Sequence, residues 1–282
     1  MVRSASGLAA LALGVFTAEA ARAAVFASSV AFYQPGEGVV GYTDPSAATG
    51  APHALTGDSS GFPNILSPFS PPFEGDELAG IGLNGILQLN FPQAVHDVPG
   101  ADFGVFTNIG LVDANYPSGA NTNPAGTFNP LIRSAEVMVS GDGETFETLG
   151  RVDFNNPSNY FANASSAYLT APPVGGAPAD FGRPFLGNLA TFAGLDWNAT
   201  LAALDGSGGG TWIDFSGTSF SSIRAVRFSI AGNAPPGTEG KLFVDAVAAN
   251  NAAVPEPAGV AALLAAVLLV RRAHRPERLG TT

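Results

Sequence analysis

The side chains that could do chemistry in this sequence are mainly carboxylates, because cysteine is absent and histidine is scarce. The 282 residues contain 23 Asp and Glu, three His and no Cys. The lack of Cys excludes thiolate catalysis and cysteine-bound metal centres. Tetrahedral zinc prefers clustered His or Cys, whereas His53 and His96 stand far apart along the chain.

One serine-containing turn invites a catalytic interpretation that the rest of the chain does not support. The stretch Gly-Asp-Ser-Ser-Gly at 57–61 resembles the nucleophile loop of trypsin-like serine proteases. Such catalysis needs a histidine base that a carboxylate orients, and His53 lies too close in sequence to match that family's order. Asp, Ser and Gly are also common turn residues, so a plain turn is the favoured interpretation. We predict no catalytic residues and no enzyme activity.

Carboxylates could instead bind a cation or cleave a glycoside. Calcium takes oxygen ligands from loops rich in Asp, Asn and Gly, and Asp44, Asp58, Asp102 and Asp245 lie in such surroundings. A glycoside hydrolase needs two facing carboxylates, and the sequence cannot single out one pair among so many. Sugar-stacking aromatics could come from Trp197, Trp212, Tyr160 and Tyr168, or these could be core residues.

Charge is distributed unevenly along the chain. The net charge is −11, yet the region from Ala24 to Pro255 has only six basic residues against twenty acidic ones, a net charge of −14. Such a body repels a phosphate backbone. We therefore expect no nucleic-acid partner.

The two ends have the composition of targeting segments. Arg3, an apolar run at 8–16 and small residues up to Ala23 predict a signal peptide over 1–23, cleaved after Ala23, with Ala20 as the other choice. Near the other end, 258–270 is apolar and predicted helical, although shorter than the roughly twenty residues of a usual membrane span. Arg271 and Arg272 follow it and would hold its end in the cytoplasm as a stop signal.

The C-terminal segment resembles a known sorting signal. Val254, Pro255, Glu256 and Pro257 precede the short helix, and a basic tail occupies 271–282. This arrangement is similar to the PEP-CTERM signal of exported bacterial proteins. The resemblance implies recognition of Pro255, Glu256 and Pro257 by an exosortase after transient insertion of the helix into the inner membrane. An ordinary C-terminal anchor is the alternative.

The body predicts an all-β fold, a single antiparallel β-sandwich over 24–250. Alternating apolar residues occur in short runs between Gly and Pro turns. Leu87, Leu89 and Phe91 share one face of a strand. Val137 and Val139 precede a Gly141–Gly143 turn that predicts a hairpin. The stretch 155–210 is richer in Pro and is predicted to be an ordered excursion with small elements, anchored by Phe185, Phe192 and Trp197.

Several pieces of the body, in order, resemble the jelly-roll sandwiches of discoidin and galactose-binding-like domains. They lie at 41–52, 78–91, 98–108, 135–150, 192–196 and 241–249. The resemblance implies loops that bind carbohydrate and in some cases calcium. Asp102 and Asp245 lie within these pieces, and the first loops and last strand can meet in such folds. A calcium site there and a purely structural role for the two aspartates both remain open.

The expected function is that of an exported bacterial surface or extracellular-matrix protein processed by an exosortase, with segments 1–23, 24–250 and 251–282. We expect it at the cell surface or secreted after processing. Its body is expected to be non-catalytic and to bind extracellular polysaccharide. A secreted glycan-active hydrolase and a purely structural coat protein are the alternatives.

Overall fold

The computed structural model describes residues 24–253, and this region is mostly β with antiparallel sheets. The predicted all-β class is therefore confirmed. No helix among these residues is long and apolar enough to cross a bilayer. The predicted signal peptide, the motif at 254–257 and the helix at 258–270 lie outside the described residues.

Two larger sheets and a small ribbon organise the described residues. In chain order the strands are β1 (Ser29–Gln34), β2 (Leu55–Thr56), β3 (Asn64–Ile65), β4 (Ala79–Ile81), β5 (Ile86–His96), β6 (Phe103–Thr107), β7 (Ser134–Ser140), β8 (Glu147–Asp153), β9 (Thr211–Ile213), β10 (Ser222–Ser229) and β11 (Leu242–Ala249). One sheet has the order β1-β5-β10-β7-β8 and the other β4-β11-β6-β9, while β2 and β3 form the ribbon. From β4 to β11 the chain passes repeatedly from one sheet to the other.

The five-stranded sheet follows the predicted alternation. Leu87 and Leu89 of β5 are fully buried between the sheets, as are Val137 and Val139 of β7. β7 pairs with β8 in the predicted hairpin. Gly143 in its turn has a φ of +82°, a conformation that glycine adopts at little cost. One face of this sheet is buried and the other is solvated, so apolar and polar residues alternate along its strands, and this alternation could be recognised in the sequence.

The four-stranded sheet is covered on both faces. Every residue of β11 is buried. Val244 and Val247 face the five-stranded sheet, whereas Ala246 and Ala248 pack on the other side against Phe106 and Phe181. Strands buried on both faces lose the polar half of the alternation. Phe106 is therefore buried in a small apolar cluster on the outer side of this sheet.

The excursion at 155–210 folds into a layer with its own core, as predicted. Phe185, Phe192 and Trp197 are all buried in it, with Phe69 and Leu111 from other loops. A helix, α1 (Trp197–Leu204), begins at Asp196, whose carboxylate accepts a hydrogen bond from the Ala199 amide. Three-residue and four-residue 3-10 helices occur at Pro45–Ala48, Leu189–Phe192 and Asn251–Ala253.

The first and last described segments lie side by side. The amide of Ala27 donates to the carbonyl of Val247, and the amide of Ala249 donates to the carbonyl of Val25, both at 2.8 Å. The chain therefore enters and leaves the sandwich at neighbouring positions beside β11.

Candidate functional site

Asp102, one of the two predicted calcium ligands, joins two loops at the start of β6. It is fully buried. One carboxylate oxygen accepts a hydrogen bond from the Val98 amide and the other from the Phe215 amide, each at 2.9 Å. Burial raises the pKa of Asp102 to about 6, although both hydrogen bonds act to lower it. Asp97 and Asp214 lie close by and are exposed.

Asp245, the other predicted ligand, sits at a β-bulge in the middle of β11. It is fully buried, and its Oδ1 contacts the amide (3.2 Å) and the Nδ1 atom (2.9 Å) of His53. Burial raises the pKa of Asp245 to about 6, and the hydrogen bond and charge of His53 act against that rise. The hydrogen bond to Asp245 in turn raises the pKa of the half-exposed His53. The second carboxylate oxygen of Asp245, Oδ2, has no hydrogen-bond partner in the described region.

The two predicted aspartates are held apart by the antiparallel register. Phe103 at the start of β6 pairs with Ala249 at the end of β11, and Thr107 pairs with Val244. Four residue steps of roughly 3.3 Å separate these pairs. Asp102 and Asp245 therefore lie at opposite ends of the β6–β11 ladder and do not contribute to one site.

A different carboxylate cluster forms between the turn at 57–61 and the turn at 73–77, which directly precedes β4 in the chain. One carboxylate oxygen from each of Asp58, Glu74 and Glu77 lies within 4.8 Å of the other two. Asp58 belongs to the turn at 57–61, where Gly57 has a φ of +77° and a Cβ would lie 2.3 Å from the Phe62 carbonyl oxygen. Asp58 was among the sequence candidates. Glu74 and Glu77 were missed, because no spacing rule links them to it.

Glu74 is fixed within this cluster by hydrogen bonds from the opposite turn. Its Oε2 accepts from the Ser59 amide and hydroxyl, and its Oε1 accepts from the Ser60 amide. Burial acts to raise the pKa of Glu74, but the hydrogen bonds from Ser59 and Ser60 outweigh it and lower the pKa to about 2. Glu74 is therefore ionised at neutral pH. The serines of this turn orient a carboxylate.

The other residues that the sequence suggested as ligand-binding residues make contacts that stabilise the fold. Asp44 accepts a hydrogen bond from the Ser46 amide and caps the 3-10 helix at Pro45–Ala48. The indole N–H groups of Trp197 and Trp212 donate to the carbonyls of Ala164 and Gly209. Trp197 is buried in the core of the excursion, and Trp212, Tyr160 and Tyr168 are partly buried against it. The core interpretation therefore holds for Trp197, whereas the other three aromatics keep part of their surface exposed.

The solvent-facing side of the five-stranded sheet carries rows of side chains that are mostly polar. The strand register aligns one row across the sheet, Phe32, Gln88, Arg227, Met138 and Thr148, and a second row, Gln34, Ile86, Ser229, Glu136 and Arg151. The Arg227 guanidinium lies 3.7 Å from the centre of the Phe146 ring and donates to Gln88 Oε1 at 2.7 Å. These contacts bury Gln88, which the alternation had placed on this face.

A cavity of about 200 Å³ opens at one end of the second row. Its polar lining residues are Ser134, Glu136, Arg151, Ser229, Asn233 and Thr238. The Glu136 carboxylate accepts hydrogen bonds from Thr148 and Ser229. Arg151 is exposed, and within the described region it takes part in none of the ion pairs. Its guanidinium is available to a ligand.

No protein-family model matches this chain, and no curated protein is similar to it in sequence.

Proposed function

We propose that the body is a non-catalytic module that binds extracellular polysaccharide on the outer face of the five-stranded sheet. The observation that supports this proposal is the convergence of Glu136, Arg151 and Ser229 on one cavity at the edge of a polar sheet face. A concave site on which a few polar groups converge is a candidate ligand site.

The chemistry of this face suits a hydroxyl-rich polymer. Amides, hydroxyls, a carboxylate and a guanidinium together offer both donors and acceptors, which is what sugar hydroxyl groups require. The cavity is smaller than the roughly 300 Å³ of the smallest typical ligand pockets. It therefore suits a single unit of a polymer, with neighbouring units lying along the rows of the sheet.

The proposal is tested by glycan-array binding of the full chain with Arg151→Ala. Saturable retention that falls at least tenfold in this variant is the expected result. Arg183→Ala is the matched control, because Arg183 is an exposed arginine on the excursion paired with Asp205. Equal losses in both variants would contradict a site at this face.

The same assay separates the alternative functions. Release of reducing sugar from a retained glycan would favour a glycan-active hydrolase. Absence of saturable retention across neutral and acidic glycans would favour a structural coat protein. Support for polysaccharide binding requires retention without release.

We further propose that the sandwich is of the jelly-roll type, related to discoidin and galactose-binding-like domains. The support is the passage of consecutive strands from one sheet to the other and the sequence pieces that resemble that group. A solved structure of a relative with a different strand order would count against this assignment.

For the two ends of the chain we propose export and exosortase processing. The support is the sequence: a signal-peptide pattern ending at Ala23, and Pro255, Glu256 and Pro257 before an apolar stretch and Arg271 and Arg272. The processed body would then reside at the cell surface or be secreted.

Intact mass and cell fraction of the protein made in its host test this sorting proposal. Trimming at both ends is expected, and Glu256→Ala should abolish only the C-terminal cut. Glu277→Ala is the control, since it removes an acid from the tail outside the tripeptide. An untrimmed C-terminus in the unmodified protein would instead indicate an ordinary anchor.

A further inference from the structure

The cluster of Asp58, Glu74 and Glu77 has the dimensions of a cation site. The three contributing oxygens lie within 4.8 Å of one another. Two oxygens that bind one calcium ion at 2.3–2.6 Å can be at most about 5 Å apart. All three carboxylates could therefore contact a single ion without movement of the backbone.

Glu77 supplies an independent indication of a missing ligand. It is 3% exposed, and its Oε2 accepts three hydrogen bonds, from the Thr56 hydroxyl and the amides of Phe73 and Glu74. Its Oε1 is buried and has no hydrogen-bond partner in the described region. A buried carboxylate oxygen without a partner is costly. The other two carboxylates of the cluster lie beside this group.

Cationic side chains do not neutralise the cluster. The ion pairs found among residues 24–253 are His53–Asp245, Arg133–Glu239 and Arg183–Asp205, and none of them includes Asp58, Glu74 or Glu77. His53 is near enough for the charge of Glu77 to influence it, but its Nδ1 is engaged with Asp245. Three carboxylates held close together without a counter-ion repel one another.

We propose that Asp58, Glu74 and Glu77 bind a calcium ion. The donor set contains only oxygen, which selects a hard cation over zinc or copper. Magnesium demands near-octahedral geometry at 2.0–2.1 Å and gives up its water reluctantly, whereas calcium accepts six to eight oxygens in a flexible arrangement. Exposed Asp58 leaves room for water ligands. This proposal does not depend on polysaccharide binding.

The bound ion would fasten the outer loops to the four-stranded sheet. Glu77 lies two residues before β4, which pairs with β11, and the Thr56 hydroxyl ties the β2–β3 ribbon to the same carboxylate. Asp58 and the serines that hold Glu74 belong to the turn between β2 and β3. Calcium would therefore join the ribbon, the turn at 73–77 and the sheet.

The test is calcium titration of the metal-free full chain by calorimetry, with thermal unfolding in calcium and in EDTA. Wild type should bind one calcium ion and unfold at higher temperature in calcium, because a ligand that binds only the folded state stabilises it. Asp58→Asn should raise the calcium Kd at least tenfold. Glu77→Gln should abolish binding, yet in EDTA be at least as stable as wild type, since it removes one acid from a cluster that none of the ion pairs among residues 24–253 includes.

Asp76→Asn is the matched control, because Asp76 is an exposed acid in the same turn but outside the cluster. It should keep the calcium response of wild type. Three outcomes would overturn the proposal: no calcium response in wild type, an equal response in all variants, or tighter binding of magnesium than of calcium. Because Asp58 is exposed, Asp58→Asn remains informative if Glu77→Gln fails to fold.

Discussion

The two ends of the β6–β11 ladder each bury an aspartate, and they satisfy it differently. At one end, both oxygens of Asp102 accept hydrogen bonds from backbone amides of two loops. At the other, Asp245 relies on His53 for one oxygen, and the second has no partner among residues 24–253. The pKa of each is raised to about 6 by burial. Equal burial therefore conceals unequal roles.

The comparison teaches that the partners of a buried carboxyl group, more than its burial, indicate its role. Backbone amides cannot move away or titrate, so Asp102 acts as a fixed joint between the loops that carry Val98 and Phe215. His53 is half-exposed and can change its charge, so at Asp245 the partner titrates as well as the carboxyl group itself. The carboxylate cluster of Asp58, Glu74 and Glu77 lies on the Asp245 side, where the charge of Glu77 reaches both partners.

The largest effect is expected from Asp102→Ala. The substitution removes the acceptor of the buried Phe215 amide and of the partly buried Val98 amide, and a buried group without an acceptor costs about 1–3 kcal/mol. The free energy of unfolding should therefore fall by roughly 2–6 kcal/mol in denaturant titrations. Asp97→Ala, an exposed neighbour, should change it by no more than about 0.5 kcal/mol. Similar losses in both variants would contradict the inference that Asp102 holds the two loops together.

Unfolding of Asp102→Asn at a series of pH values measures how the stability contributed by Asp102 depends on pH. The folded pKa of Asp102 is about 6 and its ordinary value is 3.8, so between these values the folded state binds more protons than the unfolded state. Stability from this group is therefore full below pH 3.8 and is lost as pH rises through 6, by up to about 3 kcal/mol. The stability deficit of Asp102→Asn relative to wild type should shrink by that amount from pH 3.5 to pH 7. A deficit that does not vary with pH would show that Asp102 titrates normally.

His53→Ala is expected to have a smaller effect that depends on pH. At pH 7 it removes the partner of ionised, buried Asp245 and should destabilise the fold by about 1–3 kcal/mol. The hydrogen bond to Asp245 raises the folded pKa of His53 above its ordinary value of 6.5, so the folded state binds more protons there than the unfolded state. The stability that His53 contributes is therefore full below pH 6.5 and is lost as pH rises, so the loss in His53→Ala should be larger at pH 5 than at pH 8. His96→Ala, at the exposed end of β5, serves as the control in the same denaturant titrations. A loss that is larger at pH 8 than at pH 5 would contradict a raised pKa for His53.

Much of the fold was predictable because one face of the five-stranded sheet is solvated. Leu87, Leu89, Val137 and Val139 alternate with polar residues, and the Gly141–Gly143 turn defines a hairpin. β11 was predicted as a strand, but its burial on both faces was not. That burial depends on the excursion at 155–210 folding back over the sheet, which is a property of the tertiary structure.

The candidate site was less predictable, because it depends on register and on distant turns. Asp102 stands just before β6 and Asp245 lies near the middle of β11. Only antiparallel pairing, which sets the start of one strand against the end of the other, separates them. Asp58 and Glu77 are separated by the whole of β3 and a further turn. The only part of the cluster that the sequence indicated was the Gly57–Gly61 turn, whose serines resemble a nucleophile loop.

The position of β11 between two other strands has a mechanical consequence. A pull on residue 253 is transmitted directly to β11, the strand held by β4 on one side and by β6 on the other. Force along this strand loads its hydrogen bonds together in shear, so they cannot open one after another as in a peeled edge strand. A protein suspended from its C-terminal side would thus carry the load on its most protected strand.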